Sequence, residues 1–183
     1  SSNSDGYWCE IKYNKFDLES EFEDSDGYKY KKEYNEKGLE TRFEDSSKYW
    51  YEKEYNEKEL VVRFEDSKEY WWKKEYNNAD LEVKFEDSNK FWCKKEYNEK
   101  GLVVRFENSD KYWYKKEYND AGLEIKYEDS RGFWYEIEYN GFGLETETKN
   151  SYRDWYKKEY DKDNLEIKIQ DRSGERKIKL LIE

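Results

Sequence analysis

Apolar and polar positions return along this chain with a fixed period of 21 residues, giving eight units at 2–22, 23–43, 44–64, 65–85, 86–106, 107–127, 128–148 and 149–169, and a tail at 170–183. Numbered 1 to 21, the unit 86–106 carries two apolar-alternating runs. Positions 6–12 read Phe91-Trp92-Cys93-Lys94-Lys95-Glu96-Tyr97, and positions 17–21 read Leu102-Val103-Val104-Arg105-Phe106. Both are short, rich in aromatic or β-branched residues and bounded by turn chemistry, which predicts strands. Asn98-Glu99-Lys100-Gly101 between them suits a type I turn closing a hairpin. Glu86-Asp87-Ser88-Asn89-Lys90 is the second connection, with Asp and Ser available to bond their own backbone.

Alternation assigns faces. Positions 6, 8, 10 and 12 of the first strand and 17, 19 and 21 of the second are expected on one aromatic-aliphatic face. Position 10 is usually Lys but is Ile11 and Ile137 in two units, and a Lys there can lay its stem on apolar neighbours. The opposite face then carries position 7, usually Trp, with charged residues at 9, 11, 18 and 20. A helix is excluded because the period within each run is 2 and Asn-x-x-Gly interrupts every unit. The expected fold is all-β: tandem 21-residue β-hairpins in one domain, 1–183, forming a continuous antiparallel meander of about sixteen strands plus a C-terminal one. Strand twist and the single apolar face predict curling into an open spiral or solenoid, with coverage by a second copy, a homodimer, as the other solution.

The units differ at the ends. Ser20 and Glu21 weaken the second strand of the first unit, as expected of a cap, and Lys29 replaces Trp in the second. Gly141-Phe142-Gly143 and Thr148 break the pattern of the seventh unit, and Asp154 that of the eighth. In the tail, 170–175 reads as a turn, and Ile178, Leu180 and Ile182 alternate in an expected final strand whose lysines and Arg176 guard its edge.

Composition changes this picture in two places. Leu, Ile, Val and Phe make up about 17% of the residues and the net charge is −11, values typical of disorder, yet 20 Tyr and 8 Trp at strict spacing carry the apolar load. The acidic balance argues against nucleic acid as a partner, and no apolar run is long enough to insert in a membrane as a helix. No secretory leader is read at the start, and the compartment stays open. Cys9 and Cys93 both stand at position 8, where they are expected to fill aromatic slots as thiols.

The period, together with Asp24-Ser25-Asp26-Gly27, Tyr30-x-x-x-Tyr34-Asn35 and Gly38-Leu39, resembles the YD repeats of Rhs-type proteins. Here Asn stands after Tyr in seven of eight units, Asp161 being the exception, and Leu follows Gly directly. The resemblance implies a non-catalytic β-scaffold, in that family often part of an encapsulating shell or a cell-surface stalk.

Candidate chemistry is sparse. The chain has no His, which removes imidazole-based nucleophile pairs and imidazole metal ligands. Glu33, Glu54, Glu75, Glu96, Glu117 and Glu138 recur at one position and read as surface charge rather than an acid–base pair. Asp24-Ser25-Asp26-Gly27 offers oxygen ligands for calcium, but equivalent loops carry Lys48 or Lys68, so solvated turns are expected, with no metal or other cofactor. The sharpest feature is the tryptophan row: Trp8, Trp50, Trp71, Trp92, Trp113, Trp134 and Trp155. On the charged face, Trp50, Trp71, Trp92, Trp113, Trp134 and Trp155 form a candidate platform that would stack on sugar rings or clamp an extended protein partner. The competing expectation packs each indole beneath an Arg or Lys at position 20 of the adjoining strand. The chain is thus read as a non-enzymatic interaction scaffold, with a carbohydrate-binding module as the alternative and an acid–base hydrolase as a third reading.

Overall fold

The computed structural model describes residues 6–163 and 166–177. Its elements are seventeen strands, with no helix among the described residues. The chain divides into two compact units, Ser1–Trp92 and Cys93–Glu183, a boundary that falls within the fifth repeat. In the first lie β1 (Cys9–Tyr13), β2 (Glu19–Asp24), β3 (Lys29–Tyr34), β4 (Glu40–Asp45), β5 (Trp50–Tyr55), β6 (Val61–Asp66), β7 (Trp71–Tyr76) and β8 (Glu82–Asp87). Then follow β9 (Trp92–Tyr97), β10 (Val103–Asn108), β11 (Trp113–Tyr118), β12 (Glu124–Asp129), β13 (Trp134–Tyr139), β14 (Glu145–Asn150), β15 (Trp155–Tyr160), β16 (Glu166–Asp171) and β17 (Gly174–Lys177). Within each unit every strand pairs antiparallel with its neighbours in sequence. The all-β hairpin meander expected from the sequence is the observed fold.

Both connections of the repeat close by one device. Asn35 at position 13 accepts the amides of Lys37 and Leu39 on its side-chain oxygen, at 3.0 Å each. Its backbone closes the turn, Gly38 N–H to Asn35 O at 3.0 Å and Asn35 N–H to Leu39 O at 2.9 Å. Asp45, at position 2 of its unit, does the same for Ser47 and Tyr49, at 2.8 and 3.1 Å. Among the described residues the fourth residue of each loop is left-handed: Gly38 at φ 80°, but Lys48 at 68° and Glu59 at 67°. Asp or Asn therefore opens every loop, because its short side chain replaces missing backbone partners.

Regular alternation fails at one point in each unit. Tyr55 faces Val61 while Glu54 faces Arg63, so Val62 is an extra residue. The same bulge recurs at position 19 in Ser20, Thr41, Val104, Ile125 and Thr146. One extra residue reverses side-chain sense beyond it. Position 18 therefore joins the aromatic face, and position 19 leaves it: Val62 lines a depression with Glu54, Arg63, Lys73 and Glu75. The assignment of 18 and 19 from alternation is thus corrected.

The aromatic face is not a closed core. Among the described residues none is fully buried, and Cys93, 7% exposed, is the most enclosed apolar side chain. Cys9 and Cys93 do occupy aromatic slots, half-buried and buried respectively. The rings stack along the sheet instead. In the first unit Phe22, Tyr30, Phe43, Tyr51, Phe64, Trp72 and Phe85 follow one another at centroid distances of 5.1, 5.6, 5.3, 5.7, 5.9 and 6.4 Å. In the second, Phe106, Tyr114, Tyr127 and Tyr135 stack at 5.2, 5.8 and 5.2 Å. Offset stacking of this kind adds stabilisation beyond area burial.

In the tail the turn is two residues long, with Asp171 opposite Gly174, so the last described strand starts earlier than expected. Ile178, Leu180 and Ile182 lie outside the described residues, as does the side chain of Arg176.

Candidate functional site

Two layers of side chains fill the two faces of the sheet. On the aromatic face the recurring group is a clasp between adjacent repeats. Position 12 is Tyr in all eight units. Within each compact unit, the hydroxyls of Tyr34, Tyr55, Tyr76, Tyr118, Tyr139 and Tyr160 donate to the backbone carbonyl at position 18 of the preceding repeat. Tyr34 bonds Glu19 O at 2.6 Å, Tyr55 bonds Glu40 O at 2.7 Å and Tyr76 bonds Val61 O at 3.0 Å. Tyr118, Tyr139 and Tyr160 repeat this with Val103, Glu124 and Glu145 at 3.0, 3.0 and 2.7 Å. The ladder between β4 and β5 ends at Arg42, so the Glu40 carbonyl has no ladder partner on that side and the Tyr55 hydroxyl supplies one. Tyr13 in the first unit is 61% exposed.

Around the clasp sit charges. Tyr51 donates to the Glu40 carboxylate, Lys53 pairs with it at 3.1 Å, and the Lys53 ammonium lies 4.6 Å from the Tyr51 ring centre. Tyr30, Lys32 and Glu19 form the same triad. Where position 18 is Val61 or Val103, the next lysine turns to its own unit's glutamate: Lys74 to Glu82 at 3.0 Å and Lys116 to Glu124 at 2.8 Å. Burial, followed by the hydrogen bond to Glu40, raises the Tyr51 hydroxyl far above the ordinary tyrosine value, and Tyr135 against Glu124 behaves likewise. Alternation had not revealed this triad, since it placed position 18 on the other face. The signal available was the invariance of Tyr at position 12, where Phe would serve a purely apolar role.

The charged face is a ladder of ion pairs. Arg42 bonds Glu52 and lies 3.1 Å from Glu44. Arg63 holds Glu54 at 2.9 Å and Glu65 at 2.7 Å, and Lys84 holds Glu75 at 2.9 Å. Arg105 and Lys126 stand 3.9 Å from Glu96 and Glu117. Of the recurring glutamates at position 11, Glu54, Glu75, Glu96 and Glu117 are thus partners of position 20, whereas Glu33 pairs with Lys31 at 3.6 Å and Glu138 stands opposite Glu147. Asp24 likewise receives the amides of Asp26 and Tyr28, both at 3.0 Å, in its turn.

The tryptophan row lies on this face. Five of the indoles are across the ladder from position 1 of their own unit: Trp50 from Glu44, Trp71 from Glu65, Trp113 from Glu107 and Trp134 from Glu128, but Trp155 from Lys149. Arg42 at position 20 covers Trp50 at 5.8 Å, as packing beneath a cation predicts. Trp71 and Trp113 are instead covered by Lys73 and Lys115 of their own strands, at 5.4 Å each. Trp50, Trp71, Trp92, Trp113 and Trp155 are half-buried, whereas Trp8 and Trp134 are 43% and 39% exposed. Lys29, in place of Trp in the second unit, pairs with Glu23 at 2.7 Å and borders a depression of about 340 Å³. Within the first compact unit Trp50 and Trp71 therefore share this face, and within the second Trp113, Trp134 and Trp155 do, with Arg42, Lys73 and Lys115 over Trp50, Trp71 and Trp113.

No protein-family model and no curated protein matches the chain. Solved structures do share its fold. A TcdB2-TccC3-TEV crystal structure superposes with a TM-score of 0.51 at 9% identity, over 90% of this chain and 11% of that one. TcdB2-TccC3-Cdc42 gives 0.50 at 10% identity over 89% and 11%, and TcdB2-TccC3 gives 0.50 at 9% over 90% and 12%. The chain thus spans about a tenth of the length of these structures, and at such identity the likeness is one of fold.

Proposed function

We propose that this chain is a non-enzymatic β-repeat scaffold that presents its charged, tryptophan-bearing face to a protein partner. One observation carries the reading: the recurring polar groups of the aromatic face find their partners in an adjacent strand of the repeat array, as in the Tyr55–Glu40 clasp with Lys53. Groups committed to holding neighbours together are poorly placed to do chemistry on a substrate. Pairing of Glu54, Glu75, Glu96 and Glu117 with position 20 supports the same assignment for the opposite face. The likeness of fold to the TcdB2-TccC3 chains and the resemblance to YD repeats both favour a scaffold.

The exposure of Trp8 and Trp134 favours a second reading, a carbohydrate-binding module. Tryptophan emission separates the two. With cations already over Trp50, Trp71 and Trp113, a panel of oligosaccharides is expected to leave emission wavelength and quenching unchanged. A saturable shift with one glycan, lost in Trp134→Ala, would replace the first reading with the second.

A further inference from the structure

Among the described residues β1 pairs only with β2. The Trp8 carbonyl accepts the Ser25 amide at 3.0 Å, so strand alternation turns the backbone groups of Trp8, Glu10 and Lys12 toward β2. Those of Cys9, Ile11 and Tyr13 point to the outer edge. Exposed edges ordinarily carry charge at their centre to prevent pairing. Position 10 is Lys in six of the eight units, yet the edge strand has Ile11 there, 39% exposed, flanked by Tyr7, Trp8 and Tyr13 at 38%, 43% and 61%.

We propose that this edge pairs with the same edge of a second copy, antiparallel about a twofold axis through Ile11. In the segment Cys9-Glu10-Ile11-Lys12-Tyr13, opposite charges stand at equal distances on either side of that residue. Antiparallel self-pairing sets Ile11 against Ile11, Cys9 against Tyr13, and Glu10 against Lys12 in both directions. The three residues with outward backbone groups become hydrogen-bonded pairs, six bonds in all by the ladder rule. Opposite charges directly across such a ladder stabilise it, and like charges oppose it. The contact is isologous, so it closes as a dimer and leaves the tryptophan face open. It differs from coverage of one aromatic face by another, since only an edge is used.

The test is mass by sedimentation equilibrium on the full chain across the micromolar range, with circular dichroism verifying that each variant is folded. The wild type is expected at twice the chain mass. Ile11→Lys is expected to weaken association at least tenfold, as are Glu10→Lys and Lys12→Glu, which oppose like charges across the axis. An equimolar mixture of Glu10→Lys and Lys12→Glu restores both opposite-charge pairs and is expected to dimerise as the wild type does. Amide exchange at Ile11 should slow as concentration rises through the transition. A monomer throughout, a species growing beyond the dimer, or a mixture no tighter than its components would each overturn the proposal.

Discussion

At the scale of single residues the tyrosine hydroxyls are the most informative groups, because burial and an adjacent acceptor both disfavour their ionisation. Tyr51, Tyr127 and Tyr135 are raised well above the ordinary value near 10, first by burial and then by hydrogen bonds to Glu40, Tyr112 and Glu124. Tyr34, Tyr55, Tyr118 and Tyr139 shift in the same direction, with burial again the leading cause. A raised acid binds its proton more tightly folded than unfolded, so this stabilisation is complete below pH about 10 and fades as pH rises above it. The expected outcome is flat stability through neutral and mildly alkaline pH in this respect, then cooperative unfolding coupled to phenolate formation. Phenolate absorbance recorded with circular dichroism checks this; independent, non-cooperative titration of the buried tyrosines in a folded protein would contradict it.

At the scale of the hairpin, the loops set stability through their left-handed residue. Lys48 at φ 68° carries a side chain where glycine is favoured, so Lys48→Gly is expected to stabilise by about 1 kcal/mol. Gly38→Ala should do the reverse by about 1 kcal/mol or more, since φ is 80° and the new Cβ would stand 3.3 Å from Leu18 Cδ1. Urea midpoints read both. This element was also where sequence and structure agreed most closely and parted most sharply. Asn35 and Asp45 announce turns through local chemistry, and the structure uses their side chains for that. The aromatic period placed Phe43 and Tyr51 on one face, and they stack at 5.3 Å. The bulge at Thr41 was not legible: Val, Ile or Thr at position 19 satisfies either strand sense, and nothing in a period-2 pattern marks an unpaired residue. From that one slip followed the misplacement of Glu40 and the unseen clasp, whereas Trp50, upstream of the bulge, was placed on the correct face.

At the scale of the whole molecule, the contacts of the repeat are nearest-neighbour, as in other repeat proteins: stacking and the clasp join a repeat to the one before it, and a charged triad does so as well at Glu19 and Glu40. The exposed ladder of ion pairs adds little to this and leaves its charges available for recognition. The central claim, that the invariant tyrosine exists to couple adjacent repeats, is tested most directly by urea denaturation of single Tyr→Phe variants along the array. Tyr34→Phe, Tyr55→Phe, Tyr76→Phe, Tyr118→Phe and Tyr139→Phe each remove one hydroxyl from a position-18 carbonyl and are predicted to cost about 1 kcal/mol apiece. Tyr13→Phe, at 61% exposure in the first unit, is predicted to leave the midpoint unchanged. Equal losses at Tyr13 and Tyr55, or no loss at Tyr55, would contradict the account.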